Sequence, residues 1–397
     1  MLDATTLGQA GIWYADQKVG GTSAFNVSTV LTVSGDVSVE DVRRACRRLA
    51  RAVPELRLRL GLDEWTGEVV QWLCPEPLEL RVQSHSAAWL DAEAARLFET
   101  DGGALARFAV ASVSPDRILV GITVHHAILD GAAQIDLAHR FAACMTQEPA
   151  PRPIDGYLSL TAAVRAAEEH ARTDHLPYWR ERVATMTGPA PRPLSSEDGV
   201  TRRYVLHEPS VGRLEARAAE LGTRVFHLLA AAVHRCVHAL DPEQHVIAAA
   251  TSLRPPTGEP SGCFLNQIPL TAEPAGRAGP AGRAEPAELL ALLRLNSARW
   301  TADLRHRAFP FLDLAQLTKV TLDRVLVSYR RTPARLPTGD PRVTAELLRP
   351  YPRPKADLGI RFFHDRTLEY EVQWRPSAWP RAVEGLGDDL ARCLEEV

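Results

Sequence analysis

Apolar and polar positions repeat with two different periods in the first half of the chain. Residues 26–33 alternate every second position, as a half-buried strand does, before a Ser34-Gly35-Asp36 turn. Residues 39–53 place apolar side chains every third or fourth position behind Ser38, which predicts a capped helix. Similar patterns predict strands at 56–62, 69–73, 107–113 and 117–124, and helices at 89–99 and 132–145.

The second half repeats this mixture after a helix predicted at 159–171 and a Pro/Gly/Ser-rich linker at 188–200. The low-complexity segment 272–285 predicts a flexible surface insertion. The fold class expected is therefore α/β, with two halves at 1–175 and 176–397. Further helices are predicted at 225–240, 288–304, 311–317 and 384–396, and strands at 245–250, 324–329, 358–363 and 368–374.

Composition sets the broad class of protein. The chain has 397 residues, 45% hydrophobic and 24% charged, the balance of a globular protein, and its net charge of −3 argues against a nucleic-acid partner. Its six cysteines include no C-x-x-C pair, which favours free thiols in a reducing compartment. The N-terminus does not resemble a signal peptide, and no apolar run could span a bilayer. We therefore expect a cytoplasmic protein without membrane contact.

The block HHAILDG, residues 125–131, is the strongest candidate for chemistry because it falls between a predicted strand and a predicted helix. Adjacent strand residues point to opposite sides, so one of His125 and His126 is expected to be catalytic and the other structural. A neutral imidazole is suited to proton transfer near neutral pH. A simpler interpretation is that the histidines belong to the core and that Asp130 only caps the following helix.

One predicted helix carries a histidine pair that bears on metal binding. His234 and His238 lie four residues apart on a predicted helix, a spacing that can bind zinc. No H-E-x-x-H glutamate accompanies them, and Cys236 projects from another face. The sequence therefore predicts no metal.

HHAILDG resembles the HHxxxDG motif of the condensation domains of nonribosomal peptide synthetases, which share a superfamily with chloramphenicol acetyltransferase. Gln9 and Trp13 resemble the S-x-A-Q-x-x-x-W segment of that family, and Leu56-Arg57 the end of R-H-x-x-L-R, although Ala52 and Val53 replace its arginine and histidine. Residues 261–267 (SGCFLNQ) resemble G-x-F-V-N-T, and residues 306–311 (HRAFPF) resemble H-x-x-V-P-F. The ordered blocks extend the resemblance over roughly residues 6–374.

The resemblance implies a fold of two chloramphenicol-acetyltransferase-like subdomains that form a V with a tunnel between them. It implies His126 as the catalytic histidine and Gly131 as a backbone donor to the developing oxyanion, with His125 structural. Asp130 would pair with an arginine, for which Arg254 of SLRPPTG is the candidate, although Leu253 replaces the usual glycine. The residues proposed to line the tunnel are Trp13, Asn266 and Tyr329.

The expected function is that of a free-standing condensation enzyme, an acyltransferase of secondary-metabolite and antibiotic biosynthesis that joins a carrier-bound acyl or aminoacyl thioester to an amine. No bound cofactor is expected, because the partner carrier protein brings the 4′-phosphopantetheine thioester in trans. The enzyme itself is expected to be a monomer. One alternative is an acyltransferase that forms an ester or amide on a soluble small molecule. Another is an inactive recruitment domain, which the intact HHAILDG block disfavours.

Overall fold

The structure is a computed structural model that describes residues 2–84, 86–147, 149, 152–191, 197–255, 261–272, 286–347, 353–379 and 381–395. The insertion expected at 272–285 lies, apart from Ala272, outside these residues. The chain divides into two compact units. The first contains Met1–Glu168, Ser252–Leu265 and Ala334–Arg353, and the second contains Glu169–Thr251, Asn266–Pro333 and Pro354–Val397. Two segments from the half expected to span 176–397 thus belong to the first unit.

The first unit contains a six-stranded sheet, a three-stranded sheet and helices. The elements are β1 (Asp3–Ala4), α1 (Leu7–Lys18), β2 (Asn26–Ser34), α2 (Val39–Ala52), β3 (Leu58–Leu62), β4 (Val69–Leu73), β5 (Glu79–Ser84), α3 (Ala88–Ala95), β6 (Ala106–Ser114), β7 (Arg117–His125), α4 (Gly131–Thr146), α5 (Ile154–Asp174), which continues into the second unit, β12 (Arg335–Pro337) and β13 (Val343–Glu346). The large sheet has the strand order β12-β13-β2-β7-β6-β5, and the small sheet has the order β1-β4-β3.

Local chemistry explains where these elements begin and end. Helix α2 starts behind Ser38, whose hydroxyl accepts from the Asp41 N–H while the Asp41 carboxylate accepts from the Ser38 N–H, and this capping box confirms the predicted helix. Several predictions were wrong at their ends, and two of these have a clear local cause. The strand expected from Leu56 begins at Leu58, because Pro54–Arg57 forms a 3₁₀ turn. The helix expected at 89–99 ends at Ala95, where the Asn26 amide donates to the carbonyls of Ala94 and Arg96.

The second unit has its own six-stranded sheet, and its core includes the buried side chains of Trp179, Trp300 and Tyr370. The elements are α6 (Leu176–Ala184), β8 (Val200–Leu206), α7 (Ser210–Glu220), α8 (Val225–Leu240), β9 (Val246–Ser252), β10 (Leu265–Thr271), α9 (Pro286–Arg305), α10 (Phe311–Gln316), β11 (Val325–Arg330), β14 (Leu358–His364), β15 (Leu368–Trp374) and α11 (Leu386–Glu395). The strand order is β10-β9-β11-β14-β15-β8. Sequence patterns did not predict β8 or α7.

The two large sheets contain the same arrangement of four strands. In the first unit β2 and β7 pair antiparallel, β7 and β6 antiparallel, and β6 and β5 parallel. In the second unit β8, β15, β14 and β11 follow the same order with the same directions. Each unit is thus an α/β unit built on one strand plan, although the sequence shows no repeat. No helix among the described residues has the length and apolar character of a membrane crossing.

Candidate active site

The HHAILDG block begins where β7 ends, at His125, and reaches the first residue of α4, Gly131. Between them, residues 126–130 form a loop whose five N–H groups all have acceptors, as buried backbone groups require. We call these five residues the catalytic loop. The acceptors, in chain order, are the Phe25 carbonyl, the His125 imidazole, the His125 carbonyl, the His126 carbonyl and the Gly262 carbonyl.

His126 lies just beyond the end of β7, so the alternation of side chains between the two faces of the sheet does not set the direction of its side chain. It is 7% exposed. Its Nδ1 lies 2.8 Å from the carbonyl oxygen of Leu129, three residues on. A carbonyl only accepts, so in the neutral ring Nδ1 carries the proton and Nε2 carries the lone pair. The loop thereby holds His126 in the tautomer in which Nε2 can accept a proton.

His125 is buried, with 1% exposure, and packs edge-on against the rings of Phe25 and Phe98. Its Nδ1 accepts from the Ala127 N–H at 3.3 Å, and its Nε2 lies 3.9 Å from a carboxylate oxygen of Asp16. Burial alone would raise the pKa of the Asp16 carboxyl, but the nearby His125 ring and a hydrogen bond from the Thr100 hydroxyl outweigh it and hold that pKa below its usual range. Asp16 is therefore a buried carboxylate beside His125, and no sequence motif pointed to it.

Asp130 performs both roles that the sequence left open. One carboxylate oxygen, Oδ1, accepts from the N–H groups of Ala132 and Ala133 at 3.0 Å each and so caps α4. The other, Oδ2, accepts from Arg254 Nη2 at 3.0 Å and from the Phe264 N–H at 3.1 Å. Asp130 is 1% exposed and the Arg254 side chain 9%. This ion pair joins the start of α4 to the segment 252–265.

Gly262 completes the attachment of that segment. Its carbonyl accepts from the Asp130 N–H at 2.9 Å and from Arg254 Nη2 at 3.2 Å. Its φ is +151°, and a Cβ added there would lie 2.7 Å from Tyr157 and 2.8 Å from Phe264. Only glycine combines this backbone conformation with so close an approach. The SGCFLNQ block therefore contains a scaffold residue of the catalytic loop.

Gly131 is the first residue of α4 and is buried. The Asp130 cap is made to the N–H groups of Ala132 and Ala133, the two that follow it. The N–H of a first helical residue has no intrahelical acceptor, and the helix dipole adds partial positive charge at that end. An N–H in this position is suited to stabilising a developing negative charge.

The three residues expected to line a tunnel have structural contacts. Trp13 is buried and donates its indole N–H to the Thr100 carbonyl at 2.7 Å. The buried Asn266 donates from Nδ2 to the carbonyls of Arg307 and Phe309 at 2.7 Å and accepts from the Phe311 N–H at 3.2 Å. The amide therefore connects the HRAFPF segment to β10, which gives Asn266 a structural contact.

Tyr329, the third of these residues, lies on β11 and is half-buried. Its hydroxyl lies 2.7 Å from Nδ1 of His364, and the other ring nitrogen of His364 is 3.4 Å from Glu215. Burial raises the pKa of Tyr329, so the hydroxyl stays protonated at neutral pH. Substrate contact by Trp13, Asn266 or Tyr329 stays a prediction.

Of the two histidines at zinc-binding spacing, His234 lies in the core of the second unit and His238 is partly buried. His234 is buried and stacks on Trp300, with ring centroids 5.5 Å apart, and burial lowers its pKa to about 3. A neutral ring stacked on an indole fits a packing role. Within the described ranges, no three His, Cys, Asp or Glu side chains are grouped to hold a metal ion.

Comparison with known proteins decides the family. The family model described as "Condensation domain" matches residues 4–329, most of the chain. The chain belongs to the condensation-domain family. The two α/β units are thus those of a condensation domain.

Curated relatives are much longer proteins. The phosphinothricin tripeptide synthetase PhsC of Streptomyces viridochromogenes is 26% identical over 66% of this chain and 26% of its own length. The N-(5-amino-5-carboxypentanoyl)-L-cysteinyl-D-valine synthase of Amycolatopsis lactamdurans is 27% identical over 68% of this chain and 8% of its own length. The condensation domain thus matches about a quarter or less of these relatives.

Solved structures support the fold. The first condensation domain of the calcium-dependent antibiotic synthetase, in complex with a substrate analogue, gives a TM-score of 0.78 at 19% identity and covers 100% of this chain and 96% of its own. The starter condensation domain of rhizomide synthetase RzmA, in complex with C8-CoA, gives 0.79 at 19% identity, with 100% and 94% covered. The expected condensation-domain fold is confirmed.

Proposed function

We propose that this condensation domain joins a carrier-bound acyl or aminoacyl thioester to an amine, with His126 as the group that handles the proton. The amine nitrogen attacks the thioester carbonyl, an N–C bond forms and the C–S bond breaks. The proton leaves the nitrogen for Nε2 of His126 and ends on the departing thiolate. The products are an amide and a free thiol.

The observation that supports this role is the hydrogen bond from His126 Nδ1 to the Leu129 carbonyl. It fixes the imidazole orientation and leaves the Nε2 lone pair as the basic site. The intermediate of such an acyl transfer carries negative charge on the former carbonyl oxygen. The N–H of Gly131, at the start of α4, is the donor proposed to stabilise it. Asp130 has no part in the proton transfer, because four donors occupy its carboxylate.

The proposed donor arrives on the 4′-phosphopantetheine arm of an acyl or peptidyl carrier protein, so the chain needs no resident cofactor for the reaction. The support is family membership together with a site whose groups handle a proton and an oxyanion. Action in trans as a separate monomeric enzyme, in the cytoplasm and in secondary-metabolite biosynthesis, stays a prediction. The mass and oligomeric state of the endogenous protein would test the first part of it.

The test is a pair of histidine variants assayed with acyl-N-acetylcysteamine and acyl-carrier thioesters. His126→Ala should lower kcat about a hundredfold or more, the usual range for loss of a general base. His139→Ala is the matched control, because His139 is exposed on α4, the helix that follows the catalytic loop. It should leave kcat unchanged. Near-normal turnover by His126→Ala would refute the proposed role.

The acceptor is tested in the same assay with the amine offered either on a carrier or free. Turnover only with the carrier-bound amine supports peptide-type condensation. Turnover with a free amine or alcohol would favour the alternative, an acyltransferase of soluble acceptors. If neither is used while His126→Ala abolishes some other activity, both proposals fail.

A further inference from the structure

A chain of buried polar side chains leads to the catalytic loop from α1, α5 and β4. Gln9, Gln71 and Tyr157 are all fully buried. Gln9 Nε2 lies 2.9 Å from the carbonyl oxygen of Ala127 and 3.0 Å from the hydroxyl of Tyr157. That hydroxyl lies 2.7 Å from Gln71 Oε1. The chain thus ends on the residue next to His126.

The direction of every hydrogen bond in this chain is fixed by its two ends. Gln71 Nε2 bonds the carbonyl of Ala4 at 2.9 Å, and a carbonyl only accepts, so Gln71 presents its oxygen to Tyr157. The hydroxyl of Tyr157 must therefore donate to Gln71 and accept from Gln9. Gln9 in turn receives the N–H of Thr6 on Oε1 at 3.0 Å and donates both Nε2 hydrogens. No rotated form of either amide satisfies all these partners.

Tyr157 also touches the other attachment of the loop. Its ring is the nearest neighbour that a Cβ on Gly262 would meet, at 2.7 Å, and Gly262 accepts the N–H of Asp130. Tyr157 is therefore connected to the catalytic loop at two places. Its hydroxyl bonds Gln9, which bonds the Ala127 carbonyl, and its ring lies against Gly262, which bonds the Asp130 N–H. Burial raises the pKa of Tyr157, which keeps its hydroxyl protonated as the chain requires.

The contact at Ala127 matters because of where it acts. Ala127 lies between His126 and Leu129, and the carbonyl of Leu129 fixes the imidazole. The N–H of Ala127 already donates to His125, and Gln9 holds the Ala127 carbonyl, which belongs to the next peptide group. Without Gln9 that carbonyl would be a buried acceptor lacking this donor, and the loop could lower its energy by rotating toward another one.

We propose that Gln9 is a positioning residue of the condensation reaction. Hydrogen bonds to Tyr157, and from Tyr157 to Gln71, hold the Gln9 amide in place. The amide holds the Ala127 carbonyl and thereby keeps His126 in its Nδ1–H tautomer. This inference rests on the proposed function of His126. Gln9 touches neither the reacting atoms nor the imidazole. It acts through the loop backbone, so its effect belongs in kcat and in the protonation pattern of the ring.

The test uses Gln9→Leu, Tyr157→Phe and the double variant, with Thr5→Val as the matched control. Thr5 is buried near Gln9, and its hydroxyl donates to the Val69 carbonyl at 2.9 Å. This bond is not part of the hydrogen-bonded series through Gln9, Tyr157 and Gln71. Gln9→Leu keeps the volume and removes the polar group, and Tyr157→Phe keeps the ring that packs on Gly262. Measurements are kcat, KM, thermal midpoint and the ¹⁵N signals of histidine-labelled protein, with His126 assigned from the His126→Ala spectrum.

Gln9→Leu should lower kcat about tenfold to a hundredfold with little change in KM, since misplacement of a catalytic group affects the chemical step. Its His126 signals should move from the Nδ1–H form to a mixture of tautomers. Tyr157→Phe should show a smaller change of the same kind, and the double variant should resemble Gln9→Leu because both act through one bond. Thr5→Val should lower the thermal midpoint and leave kcat and the tautomer unchanged.

An unchanged His126 tautomer in Gln9→Leu, or a changed tautomer with normal kcat, would overturn the proposal. If Gln9→Leu does not fold, Tyr157→Phe decides by the same two criteria. If the wild-type protein lacks condensation activity, the proposed function fails and the tautomer signal alone decides whether Gln9 orients the ring. The two failures are therefore distinguishable.

Discussion

The substitution Asp130→Asn exchanges one oxygen for an NH₂ group in a carboxylate that accepts four hydrogen bonds. Asparagine caps helices about as well as aspartate, so the two bonds to the N-terminus of α4 should survive. The amide NH₂ would then face Arg254 Nη2 and the Phe264 N–H, both of which are donors. The variant thus retains the cap and removes the ion pair.

The size of the stability loss expected for Asp130→Asn follows from the burial of the Asp130–Arg254 pair. Asp130 is 1% exposed and the Arg254 side chain 9%, so the guanidinium would lose its partner away from water. Removing one partner of a buried pair costs about 3–5 kcal/mol in the free energy of unfolding. For a unit of this size that corresponds to a fall in Tm of roughly 6–20 °C. Asp130→Ala should cost about 1 kcal/mol more, because it also removes the cap.

Urea unfolding measured by circular dichroism, with two controls, checks this value. Asp155→Asn changes an exposed aspartate in the first turn of α5 and should alter stability by less than about 0.5 kcal/mol. The double variant Asp130→Asn with Arg254→Met leaves no unpaired charge, so it should be about 1–3 kcal/mol more stable than the sum of the single effects. A loss below about 1 kcal/mol for Asp130→Asn, or additive single effects, would refute the buried-pair argument. A fully stable but inactive variant would place Asp130 in the chemistry.

Three further substitutions test other parts of the structure. Gly262→Ala should cost at least about 2 kcal/mol, measured by urea unfolding, because of its φ of +151° and the 2.7 Å approach to Tyr157; an unchanged midpoint would contradict the close packing. Asn266→Leu should cost about 3 kcal/mol by leaving backbone groups at 307, 309 and 311 without this partner, with KM unchanged; a higher KM at full stability would instead support the predicted tunnel role. Burial raises the pKa of Glu55 from its usual 4.5 to about 7, so its protonated form favours folding at low pH, and this contribution is lost as the pH rises from 4.5 through 7. Glu55→Gln should therefore match wild type near pH 4.5 and exceed its stability by about 3 kcal/mol at pH 8; a difference that does not vary with pH would contradict the assignment.

Elements with a clear periodic pattern could be predicted from the sequence, and several others were missed. The predicted strand 368–374 is β15 as observed, because its seven residues, LEYEVQW, alternate apolar and polar side chains. Strand β13 has four residues and owes its place to antiparallel pairing with β2, where Val343 is opposite Val33. Four residues are too short a pattern to identify a strand, and the pairing that places β13 is made with residues far away in sequence. Strand β5 was missed in the same way, since its partner β6 lies beyond α3.

Some residues of the candidate site could be recognised from the sequence, and others are identified only by the structure. HHAILDG could be recognised because all its residues are contiguous, and Arg254 because it stands where the resembling family has an arginine. Asp16 could not be recognised, since its place beside His125 depends on α1 packing across the end of β7. The link from Gln9 to Ala127 spans 118 residues. The motif around Gln9 marked that residue, but only the structure identifies what its amide holds.

The geometry also explains why the sixth residue of HHxxxD, Asp130, is an aspartate here. Four donors converge on it from two directions, two from the first turn of α4 and two from the segment 252–265. A carboxylate has an accepting oxygen for each direction, whereas an amide has one. The side chain must also be short, because a helix cap reaches back only to the N–H groups of the second and third helical residues, and glutamate is longer by one methylene. Aspartate alone meets both conditions, so a requirement of scaffold geometry places a carboxylate four residues from His126 without assigning it any proton to transfer.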